Sequence, residues 1–280
     1  MQEKPENNIK LIALDLDGTT LDSKKGLTAR TKKAMEAAAK KGVHVVIATG
    51  RAYSALPAEI FDVEGIRYLM TANGANVTDT ETGEIIYSNC IAGPALEDTV
   101  ALLRNYGFML EFFIKGHAYV ERFIYDKIDA MNFTKGHIQY IKETRKPVEG
   151  LLDFALTHKN FVENINVNFE NQTDRSMMRQ VLLTLKNVTI TTSFDHNLEI
   201  GGATTSKGDA VKMLCQRLGI STEHAMACGD SPNDTAMLKV SGFPVAMGNA
   251  KDELKEIAKY ITKTNDEEGV AQVIERFVLI

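Results

Sequence analysis

The sequence has few cysteines, with three in 280 residues, at positions 90, 215 and 228. They are far apart, odd in number and form no Cys-x-x-Cys pair, which argues against a disulfide framework or a zinc cluster. The first eight residues are polar and lack the apolar core of a signal peptide. We therefore expect a cytoplasmic protein whose thiols stay reduced.

Long apolar runs and an excess of positive charge are also missing. The longest apolar runs, such as Leu11–Leu14 and Val43–Ala48, have the length of strands and are too short to cross a bilayer. The 32 Lys and Arg face 37 Asp and Glu, for a net charge of -5. Sequence-independent nucleic-acid binding depends on clustered cations. We expect neither a membrane span nor a nucleic-acid partner.

Strands and helices alternate in both terminal parts of the chain. In the first part, strands are predicted at 9–14, 43–48 and 67–71, and helices at 28–41 and 53–61. Such alternation predicts a parallel sheet with helices on its faces, which is the α/β class. The same pattern resumes at about residue 206 and continues to the end of the chain.

The middle of the chain has paired strands mixed with helices. Hairpins are predicted around 80–83, 115–116 and 195–197, and helices at 95–106 and 174–185. This mixture predicts a separate α+β domain. We therefore expect a core domain made of residues 1–84 and 196–280, interrupted by an inserted domain at 85–195.

Four short segments near predicted strand ends carry the candidate functional residues. Ligands of open α/β sheets bind at the carboxyl ends of the strands, so we expect these segments to share one site. They are Asp15-Leu-Asp-Gly-Thr19, Thr49-Gly50-Arg51, Lys207 and Gly229-Asp-Ser-Pro-Asn-Asp234.

Each segment taken alone also has a simpler interpretation. Asp15 and Asp17 can face one point because residues two apart in extended chain project to the same side, yet an acidic turn or a calcium loop has similar residues. Thr49–Arg51 and 229–234 would also suit ordinary turns, and Lys207 could be a solvated side chain.

Together and in this order, the four segments resemble the motifs of the haloacid dehalogenase superfamily, a group made up mostly of phosphatases. The inserted region, and Asn73-Gly74-Ala75 before it, are similar to the Cof-type subgroup (subfamily IIB). The resemblance implies a Rossmann-like three-layer core with a parallel sheet, covered by an inserted α+β cap that contributes specificity.

The resemblance also implies a role for each residue. Asp15 would be the nucleophile and Asp17 the general acid and base, with Thr49 and Lys207 completing the catalytic group. The residues implied in binding the phosphate or substrate are Leu16, Thr49, Gly50, Arg51, Lys207 and Asn233. The implied metal ligands are Asp15, Asp17 and Asp230, while Asp234 would orient Lys207 or metal-bound water.

These residues together carry an excess of negative charge, which a bound cation would offset. Four aspartates and a dianionic substrate would meet a single Lys207, and two like unit charges 4 Å apart repel by about 4 kcal/mol at an effective dielectric of 20. Oxygen ligands without His or Cys favour Mg²⁺ over Zn²⁺. Asp17 could bind it by its side chain or by its backbone carbonyl.

We expect a Mg²⁺-dependent hydrolase of a small phosphorylated metabolite, such as a sugar phosphate. A mutase that moves a phosphoryl group between sugar hydroxyls would use the same aspartates. A non-catalytic metabolite-binding protein on this scaffold is the third interpretation. The sequence leaves the particular substrate and the oligomeric state open.

Overall fold

The computed structural model describes residues 8–279. The polar segment at positions 1–7, on which the expectation of no signal peptide rests, lies outside this range. The described strands are β1 (Leu11–Leu14), β2 (His44–Ala48), β3 (Tyr68–Thr71), β4 (Asn76–Asp79), β5 (Ile85–Ser88), β6 (Met109–Ile114), β7 (His117–Glu121), β8 (Arg145–Val148), β9 (Val162–Asn168), β10 (Val188–Thr191), β11 (Asn197–Gly202), β12 (Ala225–Gly229), β13 (Phe243–Ala246) and β14 (Tyr260–Ile261).

Helices separate most of these strands. They are α1 (Ala29–Lys40), α2 (Ala58–Phe61), α3 (Gly93–Leu103), α4 (Arg122–Asp126), α5 (Lys135–Thr144), α6 (Leu151–Thr157), α7 (Gln172–Leu182), α8 (Lys207–Leu218), α9 (Thr235–Val240), α10 (Asp252–Ile257) and α11 (Gly269–Phe277). Thr28 begins α1 as predicted, because its side chain accepts a hydrogen bond from the Thr31 backbone N–H.

The first sheet has the order β14-β13-β12-β1-β2-β3-β4-β5. It is parallel from β14 to β3, and β4 and β5 add an antiparallel hairpin at one edge. All four residues of β1 are fully buried. Since successive side chains of a strand point to opposite faces, helices must cover both faces. The predicted three-layer α/β core is confirmed.

A second sheet lies in the middle of the chain, with the order β10-β11-β9-β6-β7-β8. It is antiparallel except where β7 pairs with β8. The hairpins predicted around 115–116 and 195–197 are present as β6–β7 and β10–β11. The central strand β9 was not predicted, because four of its seven residues are polar.

Both positions at which the chain passes from one sheet to the other lie slightly later than the predicted domain boundaries. Ile85–Ser88 was assigned to the insertion but forms β5 of the first sheet, since it pairs with β4. Asn197–Gly202 was assigned to the core but forms β11 of the second sheet, where it pairs with β9 and β10. The crossings between the sheets therefore follow Ser88 and Gly202. A core and a cap that move as separate units remain a proposal.

The single helix predicted at 53–61 is wrong. The structure has a 3-10 turn at Tyr53–Ala55 and a separate short helix, α2. Leu56, which precedes Pro57, is extended with φ -71° and ψ 137°. A residue before proline is pushed out of the helical region by the proline ring, and this break divides the segment.

The longest described helices, α1 and α8, have 12 residues each. A helix needs about 20 apolar residues to span a bilayer. No helix in the described range is long and apolar enough to do so. The three cysteines are all unpaired in the structure, as their spacing predicts.

Candidate active site

The four predicted segments meet at one edge of the first sheet. β1 lies between β2 and β12, and all three strands run parallel. Asp15, Thr49 and Asp230 each follow the last residue of one of these strands. Lys207 begins α8 beneath the same edge and contacts Asp15. Asp15 and Lys207, which are 192 positions apart in the chain, thus meet where these strands end.

Lys207 is the charged centre of the site. Its side chain is fully buried, and Nζ donates to Asp15 Oδ1 at 2.5 Å and to Asp234 Oδ1 at 2.6 Å. The other oxygen of Asp234 accepts from the Asp230 backbone N–H at 2.9 Å. The lysine is thus fixed between two carboxylates, one of which also holds the loop that carries Asp230.

Three carboxylates gather around this lysine. Asp15, Asp230 and Asp234 each offer an oxygen within 4.8 Å of the others. Thr19 Oγ1 donates to Asp230 Oδ1 at 2.8 Å. Gly18 has a φ of +80°, and a Cβ added to it would come within 2.6 Å of the Asp230 carboxylate. Any larger residue at position 18 would therefore displace that carboxylate. This all-oxygen donor set fits a hard cation such as Mg²⁺.

The Asp17 side chain is not part of that group. Its two oxygens accept from Arg51 Nε and a terminal Arg51 nitrogen, both at 2.8 Å, and from Lys25 Nζ at 2.7 Å. Of the two ways in which Asp17 could bind metal, this geometry favours the backbone carbonyl over the side chain. Arg51 was expected to bind the phosphate, but its guanidinium pairs with the Asp17 carboxylate instead.

Burial and neighbouring charges shift the pKa values of these carboxyls in opposite directions. Burial, together with the charge of Asp234, raises the pKa of Asp15 well above its usual value, although Lys207 opposes the change. The same two causes raise the pKa of Asp230 to about 6. Burial would also raise the pKa of Asp17, but hydrogen bonds and charges from Arg51 and Lys25 hold it below its ordinary range. The Lys207 pKa is raised, because Asp15 and Asp234 outweigh burial.

The expected phosphate-binding residues border the same space. Thr49 Oγ1 accepts from the Arg51 backbone N–H at 3.1 Å, and Leu16 is fully buried between the two aspartates. A Cβ on Gly50 would lie 3.6 Å from Asn233 Nδ2. Gly50 and the amide of Asn233 therefore lie close together, with Asn73 Oδ1 nearer still at 3.0 Å from that added Cβ.

Two residues beside Gly50 and Asn233 were given no site role by the sequence, although one of them, Asn73, was noted in the subgroup resemblance. Asn73, with a left-handed φ of 57°, accepts from Asn233 Nδ2 at 3.0 Å and donates to Glu199 Oε2 at 2.8 Å. Glu199 belongs to β11 of the second sheet. The sequence signal for Glu199 was alternation, because Asn197 and Glu199 are polar residues two positions apart in one strand.

Comparisons with known proteins agree with this geometry. The family model of haloacid dehalogenase-like hydrolases matches residues 12–274. A putative phosphatase of Streptococcus pyogenes serotype M6 is 34% identical over 275 residues, covering 97% of this chain and 99% of that protein.

Two solved structures have a similar fold. A haloacid dehalogenase-like hydrolase from Bacillus subtilis has a TM-score of 0.84 at 30% identity, covering 95% of this chain and 99% of its own. A subclass IIB sugar phosphatase has a TM-score of 0.81 at 24% identity, covering 97% of this chain and 100% of its own. The second similarity concerns the fold alone.

Proposed function

The chain belongs to the haloacid dehalogenase-like hydrolases, and from this premise we propose that it hydrolyses small phosphomonoesters through a phosphoryl group carried on Asp15. The observation that carries the proposal is the contact of Lys207 with both Asp15 and Asp234 at a shared strand edge. A buried lysine between two carboxylates places positive charge at this strand edge, where a negatively charged phosphoryl group would bind. The 34% identical putative phosphatase of Streptococcus pyogenes supports the same reaction class.

Asp15 is the nucleophile in this proposal. One of its oxygens bonds to Lys207, which leaves the other to attack phosphorus and form an acyl phosphate. Lys207 keeps the attacking carboxylate oriented, and its charge offsets the negative charge of the phosphoryl oxygens. Thr49, the backbone N–H groups of Leu16 and Gly50, and the Asn233 amide would hold those oxygens.

Asp17 acts as the general acid and then as the general base. The bond from phosphorus to the leaving oxygen breaks on the side opposite Asp15, and Asp17, two residues along the chain, would give that oxygen its proton and then take one from the water that attacks the phosphoaspartate. Arg51 holds its pKa down, so Asp17 must part from Arg51 before it can carry a proton. The arriving phosphoryl dianion provides the competing partner, since guanidinium pairs strongly with phosphate.

Mg²⁺ is the cofactor that the donor set fits. Asp15 and Asp230, with the backbone carbonyl of Asp17, would hold it, and Asp234 would stay on Lys207. When bound, such an ion neutralises phosphoryl charge and orients the group for in-line attack. Thr19 and Gly18 keep the Asp230 carboxylate in place for this role.

The reaction is tested by a phosphate-release screen on a panel of phosphorylated metabolites. We expect turnover with Mg²⁺ and at least about a hundredfold less after chelation, because the uncompensated carboxylates repel the substrate. Restored turnover on adding Mg²⁺ back is the control. Steady release of inorganic phosphate also separates a hydrolase from a mutase. Undiminished turnover without divalent ions would contradict the cofactor, and no release from any ester would contradict the function.

Gly18→Ala should weaken metal binding. The added Cβ would meet the Asp230 carboxylate at 2.6 Å, so we expect the Mg²⁺ concentration for half-maximal activity to rise by about tenfold or more. Gly83→Ala is the matched control, because Gly83 has a similar φ of +73° with nothing within 4 Å of the added atom. An unchanged Mg²⁺ requirement in Gly18→Ala would contradict this role of Gly18, and an equal rise in both variants would assign the effect to backbone strain.

A further inference from the structure

A β-bulge directs one carboxylate of the second sheet toward the first sheet. The register between β6 and β9 shifts after Phe113, and Glu163 is the extra residue of β9 at this shift. A bulge changes the direction in which a strand residue points its side chain. The Glu163 carboxylate reaches Asn76 of β4 in the first sheet, whose Nδ2 donates to Glu163 Oε1 at 2.9 Å.

Glu163 joins the two sheets at a second point. Its Oε1 also accepts from the Gly116 backbone N–H at 2.7 Å, and the Gly116 carbonyl accepts from the Ser54 backbone N–H at 2.8 Å. Gly116 lies in the turn between β6 and β7, while Ser54 closely follows Arg51 of the catalytic edge in the chain. We call Ser54, Asn76, Gly116 and Glu163 the clasp, because their hydrogen bonds connect the two sheets beside the active site.

Two buried oxygens of the clasp meet no donor among residues 8–279. They are Glu163 Oε2 and Asn76 Oδ1, on residues that are 1% and 5% exposed. Burying an ionised carboxylate oxygen without a donor is costly. Protonation of Glu163 would remove both deficits, because the new O–H can donate to Asn76 Oδ1 while the other oxygen still accepts from Asn76 Nδ2.

Burial favours the protonated form of Glu163. It raises the pKa of this carboxyl to about 7, although hydrogen bonds from the Gly116 backbone and from Asn76 oppose the change. The ordinary pKa of a glutamate is 4.5, so the folded chain holds this proton more tightly than the unfolded chain. The carboxyl therefore changes its charge between mildly acidic and mildly basic solution.

The surroundings of Glu163 give it no ion-pair partner within residues 8–279. The titratable side chains on the neighbouring elements are Tyr53, Cys90, Lys115 and His117. Lys115 Nζ lies 4.3 Å from the centre of the Phe161 ring, and Cys90 Sγ forms a hydrogen bond of 3.4 Å with Ser88 Oγ. Burial and the charge of Lys146 lower the pKa of His117. No cation nearby thus keeps Glu163 ionised.

We propose that Glu163 and Asn76 make the clasp a pH-sensitive contact between the two sheets, closed by a cyclic acid–amide pair when Glu163 is protonated and loosened when Glu163 is ionised. Loss of the proton would leave buried acceptor oxygens without a donor. The turn that carries Gly116 would then hold less tightly to Ser54. The clasp works in this way whatever reaction the catalytic edge performs.

Glu163→Gln fixes the neutral form. Glutamine has the shape of the protonated acid, and its Nε2 can donate to Asn76 Oδ1 at every pH. A carboxyl whose pKa is higher in the folded state contributes less stability as the pH rises through that pKa. The unfolding temperature of Glu163→Gln, relative to the wild type, should therefore rise by at least about 2 °C from pH 5.5 to pH 8.5. Thermal unfolding without divalent ions measures it.

Glu111→Gln is the matched control in the same sheet. Glu111 is also fully buried, but a terminal nitrogen of Arg145 lies 2.7 Å from its Oε2. The same substitution there breaks a buried ion pair, so the variant should unfold at a lower temperature than the wild type at both pH values. Curves for Glu163→Gln and the wild type that stay parallel with pH would overturn the proposal, as would an equal relative rise in Glu111→Gln.

Hydrogen exchange of the Ser54 and Gly116 amides tests the contact itself. Both N–H groups donate within the clasp, so their protection in the wild type, relative to Glu163→Gln at the same pH, should fall at least about tenfold from pH 5.5 to pH 8.5. The amides of Leu11–Leu14 are the internal reference and should stay equal in the two proteins. Unchanged relative protection of Ser54 and Gly116 would overturn the clasp.

The wild type alone decides the question if Glu163→Gln fails to fold. After correction for the intrinsic exchange rate, protection of Ser54 and Gly116 should fall between pH 5.5 and pH 8.5 relative to the amides of Leu11–Leu14. A constant ratio would overturn the proposal. None of these measurements uses phosphate release, so their failure leaves the proposed reaction untouched, and failure of the reaction leaves the clasp untouched.

Discussion

Asp15→Asn is expected to lower kcat for a generic phosphomonoester by at least about a hundredfold, because the amide oxygen is a far weaker nucleophile than the carboxylate. The substitution keeps the size of the side chain and its acceptor towards Lys207. Asp17→Asn should reduce kcat to a similar extent, through loss of proton transfer. Steady-state phosphate release measures both.

Asp22→Asn is the control for a charge lost from the same loop. The Asp22 carboxylate accepts from the backbone N–H groups of Lys24 and Gly26, each at 2.9 Å, and lies outside the group around Lys207. Its turnover should stay within about twofold of the wild type, as for a surface position away from the chemistry. Turnover of Asp15→Asn near the wild-type value would refute the assignment of the nucleophile.

Lys207→Met should reduce both stability and activity. The variant leaves Asp15 and Asp234 buried without their shared cation, and breaking a buried ion pair in this way costs about 3–5 kcal/mol. Loss of a donor to the phosphoryl oxygens should lower kcat by a further factor of about 10²–10³. Denaturant unfolding without divalent ions measures the first effect, and phosphate release measures the second.

The stability loss in Lys207→Met should depend on pH. Burial already raises the pKa of Asp15 in the folded wild type, and loss of the lysine raises it further. A carboxyl whose pKa is higher folded than unfolded binds more protons in the folded state, so stability falls as pH rises. The difference from the wild type should therefore be larger at pH 8 than at pH 5.

Lys251→Met is the surface control for this comparison. Its ion pair with Asp195 spans 3.2 Å between side chains that are 54% and 81% exposed, and exposed pairs contribute about 0–1 kcal/mol. A loss in Lys207→Met no larger than in Lys251→Met would show that the buried lysine is not the electrostatic centre of the site.

The core and its catalytic edge were predictable because local and global signals agree there. β1 is apolar on both faces, as a buried parallel strand must be. The residues after β1, β2 and β12 then have to converge, since parallel strands end at one edge. The sequence could not predict the contacts that depend on the direction in which a side chain points. The turn of Asp17 toward Arg51 and Lys25 depends on packing that no spacing rule contains.

The second sheet was harder to predict from the sequence. β9 carries Asn and Glu at positions where a strand usually carries apolar residues, so its pattern indicates a loop. Its asparagines are buried and hydrogen-bond mainly within the second sheet, as Asn166 and Asn168 do to Glu111, while Glu163 accepts from Asn76 of the first sheet. Glu199 was missed for a similar reason, since its contact with Asn73 joins residues 126 positions apart.

The most direct test of the account is to identify the residue that carries the phosphoryl group. Enzyme quenched during turnover and reduced with borohydride converts an aspartyl phosphate to homoserine, which peptide mass spectrometry locates. We expect homoserine at position 15, dependent on substrate and absent from Asp15→Asn. Homoserine at Asp17, Asp230 or Asp234, with Asp15 unmodified throughout turnover, would contradict it.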